Sequence, residues 1–217
     1  QIPWTIDGSK KLLRNIYREK KSTFYITVDT GHQTGQKKYS KPDIEVISKN
    51  ADIPWVGPDK LYNEYRKLAS LADKDFADAL KSFAKDLNKY PFLFASEKDA
   101  DTYAWLEELG CYSPIIHLQQ VTGDKSAHLP FTSEYNKNGK IIPDKVLQAL
   151  ARSYQMEGDD SLPDKIDTIY LTLELFSGTS ETTSEIMDKV SESITYWRQF
   201  VPEDGLTLDK LAELGCT

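Results

Sequence analysis

The residue pattern predicts an α/β protein whose parallel sheet forms part of a barrel. Three observations carry that expectation. Strand-like and helix-like segments alternate along the 217 residues, as βαβ units do. The clearest strand segments are aliphatic on one face and polar on the other, whereas an open parallel sheet covered on both sides is apolar on both. Each polar face carries a ligand-type side chain at or near the C-terminal end of its segment, where parallel barrels place their chemistry.

Taken in order, residues 5–20 carry Ile6, Leu12, Leu13, Ile16 and Tyr17 at helical spacing, with Thr5 or Asp7 as the cap. Residues 23–29 alternate β-branched and aromatic with polar side chains and read as a strand. Thr30 to Lys41 is polar, contains glycine and reads as an irregular loop, and so does Pro42 to Pro58 around Trp55. Residues 59–72 and 74–88 read as two charged helices, so 41–98 is expected to be a solvated helical insertion, a lid or an oligomer contact. Pro91 to Ala95 is a short apolar piece, a strand or a packed loop. Residues 99–109 read as a helix through Tyr103, Trp105, Leu106 and Leu109, ended by Gly110. Residues 114–119 are a second strand, followed by a polar loop from Gln120 to Asn138. Pro143 opens a helix over 144–154, and 167–176 is the strongest strand. After a loop, residues 184–199 read as a helix with Ile186, Val190, Ile194 and Trp197 on one face. The four tryptophans, Trp4, Trp55, Trp105 and Trp197, read as packing residues rather than substrate platforms.

Composition narrows the function classes. The formal net charge is −7, from 27 basic and 34 acidic side chains, which argues against a nucleic-acid partner. No apolar run approaches the roughly 18 residues of a membrane span, and the start has no signal-peptide pattern. Cys111 and Cys216 form no motif and suit a reducing cytoplasm.

Read face by face, the last strand puts Ile169, Leu171, Leu173 and Leu175 outward and Thr168, Tyr170, Thr172 and Glu174 inward. The first strand puts Phe24, Ile26 and Val28 outward and Tyr25, Thr27 and Asp29 inward. The middle strand puts Ile116 and Leu118 outward and Ile115, His117 and Gln119 inward. Asp29, His117 and Glu174 thus form a mixed oxygen and nitrogen set that suits Mn²⁺, Mg²⁺, Co²⁺ or Zn²⁺. Each has an ordinary alternative: Asp29 starting a turn, His117 as a satisfied core residue, Glu174 as a solvated strand end. Recurrence at equivalent positions of three strands weighs against three separate accidents, and both readings stand at this level.

The run Val28-Asp29-Thr30-Gly31-His32 resembles the D-x-x-H motif that follows the sixth strand of the xylose-isomerase-like (β/α)8 TIM barrels, a family that includes sugar-phosphate isomerases and epimerases. Ile115 to Gln120 resembles the family's seventh-strand histidine motif, and Leu171 to Phe176 its eighth-strand glutamate motif. Order and spacing agree over nearly the whole chain except 41–98. The wording around His117 and Glu174 is most similar to enzymes acting on short ketose phosphates, such as tetrulose-phosphate epimerases. The resemblance implies a divalent metal held by Asp29, His117 and Glu174, with Glu174 doubling as the catalytic acid/base. It implies a substrate-oxygen contact and a catalytic role for His32. The implied reaction removes a proton α to a ketose carbonyl to give an enediolate, and epimerisation returns the proton on the opposite face with a second carboxylate.

The family also has a fourth ligand, a glutamate at the end of the fifth strand, shortly before a helix like the one that opens this chain. Nothing before Gln1 supplies it, Glu97 and Glu181 stand in the wrong places, and the first half of the barrel has no candidate strands. Residues 1–217 are therefore expected to be one incomplete domain, the C-terminal part of a barrel. The rest is expected from a longer protein, from a complementing chain or from a homo-oligomer, because a half-barrel exposes strand edges.

His128 reads as a substrate or second-metal contact, or as a solvated loop histidine. Gln33, Gln36 and Gln119 suit hydroxyl recognition. Lys125 and Ser126 beside Gly123, or Lys37 and Lys38, suit a substrate phosphate, the plain alternative being exposed polar loops. The leading expectation is a metal-dependent enzyme acting on a sugar or sugar phosphate. The alternatives are a metal-dependent endonuclease acting on abasic DNA, a relative that carries extra loop histidines for several zinc ions, and a non-catalytic barrel fragment.

Overall fold

Three short strands make one parallel sheet in the order β1 (Thr27–Asp29), β2 (Ile115–Leu118), β3 (Tyr170–Leu173). The structure is a computed structural model of the chain and describes residues 5–41, 59–68, 73–91 and 94–213. Thr27 lies opposite Ile115, Asp29 opposite His117, and His117 opposite Thr172. Pairing runs slightly past the strands, since Thr30 N–H donates to His117 O (2.9 Å) and Glu174 N–H to Leu118 O (2.9 Å). The strands are shorter than their apolar patterns, because a ladder extends only where neighbours overlap in register. Phe24, read as an outward strand residue, falls outside β1 and is 44% exposed.

The two faces differ as the alternation predicts. Val28, Ile116 and Leu118 are buried, and Ile169, Leu171 and Leu173 pack against the same cluster. On the opposite face Ile115 and Tyr170 are exposed. The helices Thr102–Leu109 and Pro143–Gln155 build most of the covering layer through Trp105, Leu106, Leu109, Val146, Ala149 and Leu150. Gly110 sits between them for space: a Cβ there would lie 2.6 Å from Leu150 Cδ2. Gly110 ends the first of these helices as the sequence suggested, with a helical φ of −58°, and the chain continues into a 3-10 turn, Gly110–Tyr112.

Helix α1 (Ile6–Lys20) starts at Thr5, whose Oγ1 accepts from Gly8 N–H, and ends at Lys21 in a left-handed conformation. The buried Asp99 accepts from Ile6 N–H (2.7 Å), an acid favoured at a helix N-terminus, and ties α1 to the 96–105 segment. The charged helices Asp59–Leu68 and Asp73–Leu87 join Phe94 in a second, smaller cluster of Leu68, Phe83 and Leu87. Pro91 to Ala95 contributes one parallel bridge, Ser40 with Ala95.

Three sequence expectations change. The 30–41 stretch is ordered as a 3-10 helix, His32–Tyr39, a geometry whose short turns leave no apolar period to read. In Thr183–Trp197 the buried positions are Ser193 and Trp197, while Ile194 is 44% exposed. A closing helix, Leu208–Glu213, buries Leu211 and was not read from the sequence. Trp4, residues 42–58 with Trp55, residues 69–72 and 92–93, and Cys216 lie outside the described residues. Among the described residues no helix is long and apolar enough to cross a membrane.

Candidate metal centre

Strand register assembles the centre. Asp29 and His117 are partners across β1 and β2, and the period of two carries Glu174 to the same face, two residues beyond Thr172. One ligand atom from each of Asp29, His117 and Glu174 lies within 4.8 Å of the others. His117 Nδ1 stands 2.9 Å from Glu174 Oε2.

The two oxygens of Asp29 do different work. Oδ1 accepts from Gly31 N–H (2.8 Å), His32 N–H (3.2 Å) and Gln119 Nε2 (2.7 Å). This is the turn-starting role read from the sequence, an Asx turn, and it leaves Oδ2 free. Asp29 Oδ2 and Glu174 Oε2 are both buried, and among the described residues neither has a well-aligned hydrogen-bond donor, the His117 ring at 2.9 Å from Oε2 included. Buried carboxylate oxygens without donors are costly unless positive charge meets them. Two hard oxygens and one imidazole nitrogen are a donor set for Mn²⁺, Mg²⁺, Co²⁺ or Zn²⁺. The residues present therefore fit a divalent ion.

A second ligand group, Asp29, His32 and His128, shares Asp29 with the first. His32 Nε2 lies 3.6 Å from Asp29 Oδ2, and His128 Nε2 lies 3.9 Å from Glu174 Oε2. The His128 side chain is only 14% exposed, which removes the reading of a solvated loop histidine. Its ring stacks on Phe176 (centroids 3.8 Å, planes 3° apart) and meets His32 edge-on at 5.4 Å. Its backbone is left-handed, with φ of 47°.

Other sequence-derived candidates fall around this cluster. Gln119, expected to contact substrate, is fully buried behind Asp29, and its amide is spent on protein partners. Lys125 is exposed on the loop that carries Ser126 and His128. Lys37 pairs with Glu97 (3.2 Å), and Glu181 pairs with Lys189 (2.6 Å). Gln33 is buried and Gln36 half-buried, each with an unpaired Oε1. Cys111 is buried in the core, where desolvation pushes its thiol up and away from reactivity.

Two residues escaped the sequence reading. Phe176 lay in the strongest strand segment as one more apolar residue, and only the loop's return places it on His128. Thr30 Oγ1 both donates to Gln119 O and accepts from Gln119 N–H, each at 3.2 Å, which locks β1 to β2 just beyond the ladder. No local period signals such a bond.

Over about half its length the chain is similar to a sugar-phosphate epimerase: 32% identical over 104 residues, which are 48% of this chain. That protein is D-erythrulose 1-phosphate 3-epimerase of Brucella abortus (strain 2308), and the matched region spans 30% of its length. No protein-family model matches the chain.

Proposed function

We propose that this chain carries the Asp29–His117–Glu174 centre of a divalent-metal-dependent sugar-phosphate isomerase or epimerase, within the C-terminal part of a (β/α)8 barrel. The observation that carries the reading is the pair of buried carboxylate oxygens, Asp29 Oδ2 and Glu174 Oε2, converging with the His117 ring at one end of three parallel strands. The similarity to a sugar-phosphate epimerase supports the substrate class. The one-sided burial of the sheet, with Ile115 and Tyr170 uncovered, supports a barrel interior completed by further strands.

Asp29, His117 and Glu174 would hold the ion. When bound, a divalent ion supplies Lewis acidity towards the negative charge that develops on a ketose oxygen. Asp29 is oriented in advance by its three donors. Glu174 takes the proton from the carbon α to the carbonyl and the C–H electron pair passes into the enediolate; in an isomerisation Glu174 then gives the proton to the neighbouring carbon, whereas epimerisation takes it from a second acid on the opposite face. His32, half-exposed beside Asp29, and His128 face the substrate oxygens. Lys125, exposed on the loop that carries Ser126 and His128, is the residue we assign to the substrate phosphate.

The test is elemental analysis of the Mn²⁺-loaded, dialysed chain beside Asp29→Ala and His117→Ala. Loss of metal in both variants is expected, and unchanged content in both overturns the centre. In deuterated water, the loaded protein is expected to exchange the α-proton of a ketose phosphate. Retained metal without exchange overturns the isomerase reading.

A second reading, a metal-dependent endonuclease acting on abasic DNA, draws on the second ligand group, because two ions sharing a carboxylate suit phosphodiester cleavage. The net charge of −7 weighs against it. Nicking of an abasic duplex by the zinc-loaded chain would establish it.

A further inference from the structure

Gln119 is fully buried, and its amide hydrogen-bonds both Asp29 and the loop that carries His128. At one end Nε2 donates to Asp29 Oδ1 (2.7 Å). At the other, Oε1 accepts from His128 N–H (2.7 Å) and from Ser126 Oγ (3.1 Å). Asp29 can only accept and a peptide N–H can only donate, so the connector must offer a donor at one end and an acceptor at the other. An amide does this; a carboxylate or an apolar side chain of the same length does not.

The neighbouring backbone is shaped around this amide. Gly31 has φ of −95°, a conformation open to any residue, so its glycine is not needed for backbone freedom. It is needed for space, since a Cβ at Gly31 would lie 2.3 Å from Gln119 Cδ. His128 holds a left-handed φ of 47°, which a non-glycine residue keeps only when its surroundings impose it. Gln119 Oε1 holds its N–H, and Phe176 N–H donates to its carbonyl at 3.1 Å.

We infer that Gln119 is a positioning residue: one buried strut that sets the orientation of Asp29 and pins His128 over the centre. The part that concerns Asp29 as a ligand rests on the metal-centre reading; the part that concerns His128 does not. By filling Oδ1, Gln119 leaves Oδ2 as the oxygen turned towards the ligands. By holding the His128 backbone, it keeps that ring against Phe176 and beside Glu174.

The test uses two readouts on the full chain. The first is the His128 Cε1–H proton resonance without metal, which the Phe176 ring at 3.8 Å displaces upfield. The second is Co²⁺ affinity by titration. In Gln119→Met, the His128 resonance is expected to lose its displacement while that of His117 stays. Co²⁺ affinity is expected to fall about ten- to a hundredfold, the usual effect of losing a ligand's supporting partner. A folded Gln119→Met chain in which either quantity keeps its wild-type value overturns the inference. Should that variant not fold, Gln119→Glu keeps an acceptor for His128 N–H and is expected to keep the upfield displacement; its loss there overturns the inference instead. A wild-type chain that binds no Co²⁺ sinks the metal centre and leaves the His128 resonance to decide the strut.

Discussion

The two carboxylates of the centre sit on opposite flanks of the sheet and are held in opposite ways. On the β1–β2 flank, the Asp29 side chain is 7% exposed, its Oδ1 receives three hydrogen bonds, and Thr30 ties the strands together beside it. On the β3 flank, the Glu174 side chain is 30% exposed, and its Oε2 faces the His117 ring at 2.9 Å. Its neighbours Tyr170 and Phe176 are each 65% exposed. The same functional group is thus tied to the backbone on one side and left more open to solvent on the other. On the proposed reading, the difference suits a ligand held before the ion arrives and a group that passes a proton to and from carbon.

The largest test of that contrast is the pair Asp29→Ala and Glu174→Ala in urea unfolding. Removing Asp29 strands the N–H groups of Gly31 and His32 and the Gln119 amide, at a cost of about 3 kcal/mol. Removing Glu174 is expected to change stability by less than about 0.5 kcal/mol. Equal losses would break the comparison. The next test compares two threonines. Thr30→Val, at a fully buried position, leaves the Gln119 backbone groups short of a partner and is expected to cost about 1–2 kcal/mol in the same assay. Thr172→Val, on exposed β3, is expected to stay within about 0.5 kcal/mol.

The smallest effect concerns what joins the flanks from outside. Arg14 of α1 pairs with Asp159, in the segment that leads into β3 (2.8 Å). The Ser161 hydroxyl and then Arg14 hold the Asp159 carboxyl at about 2, below its usual 3.8. A depressed folded value means this contribution is present above the unfolded value and is lost as pH falls from about 4 through about 2. The pair is partly exposed, so Arg14→Ala is expected to cost less than about 1 kcal/mol at neutral pH. The deficit should shrink in acid, as thermal melts between neutral pH and pH of about 3 would show. A deficit that grows in acid would reverse the assignment.

That Asp29, His117 and Glu174 gather at one end of the sheet was legible in the sequence. Asp29, His117 and Glu174 could be read because strand alternation is local and each polar face carries its ligand at or near a strand end. The aliphatic positions Val28, Ile116 and Leu118 were legible for the same reason. Phe24 and Ile194 were misjudged because periodicity extends past the point where neighbours cover the element. Gly110 was legible as the helix end, but only Leu150, forty residues away in sequence, explains the missing side chain. Gln119 looked like a substrate contact because its inward position was readable while its partners were not.

By itself the sequence determined which residues share a face and which side chains stand at the strand ends, since both follow from covalent geometry over two or three residues. Only the tertiary structure decided the register that sets Asp29 against His117. It also decided which oxygen of Asp29 stays unpaired, and that Gln119 serves His128 rather than a ligand. Those outcomes depend on donors and acceptors brought together from residues tens of positions apart, and no local pattern encodes which of them meet.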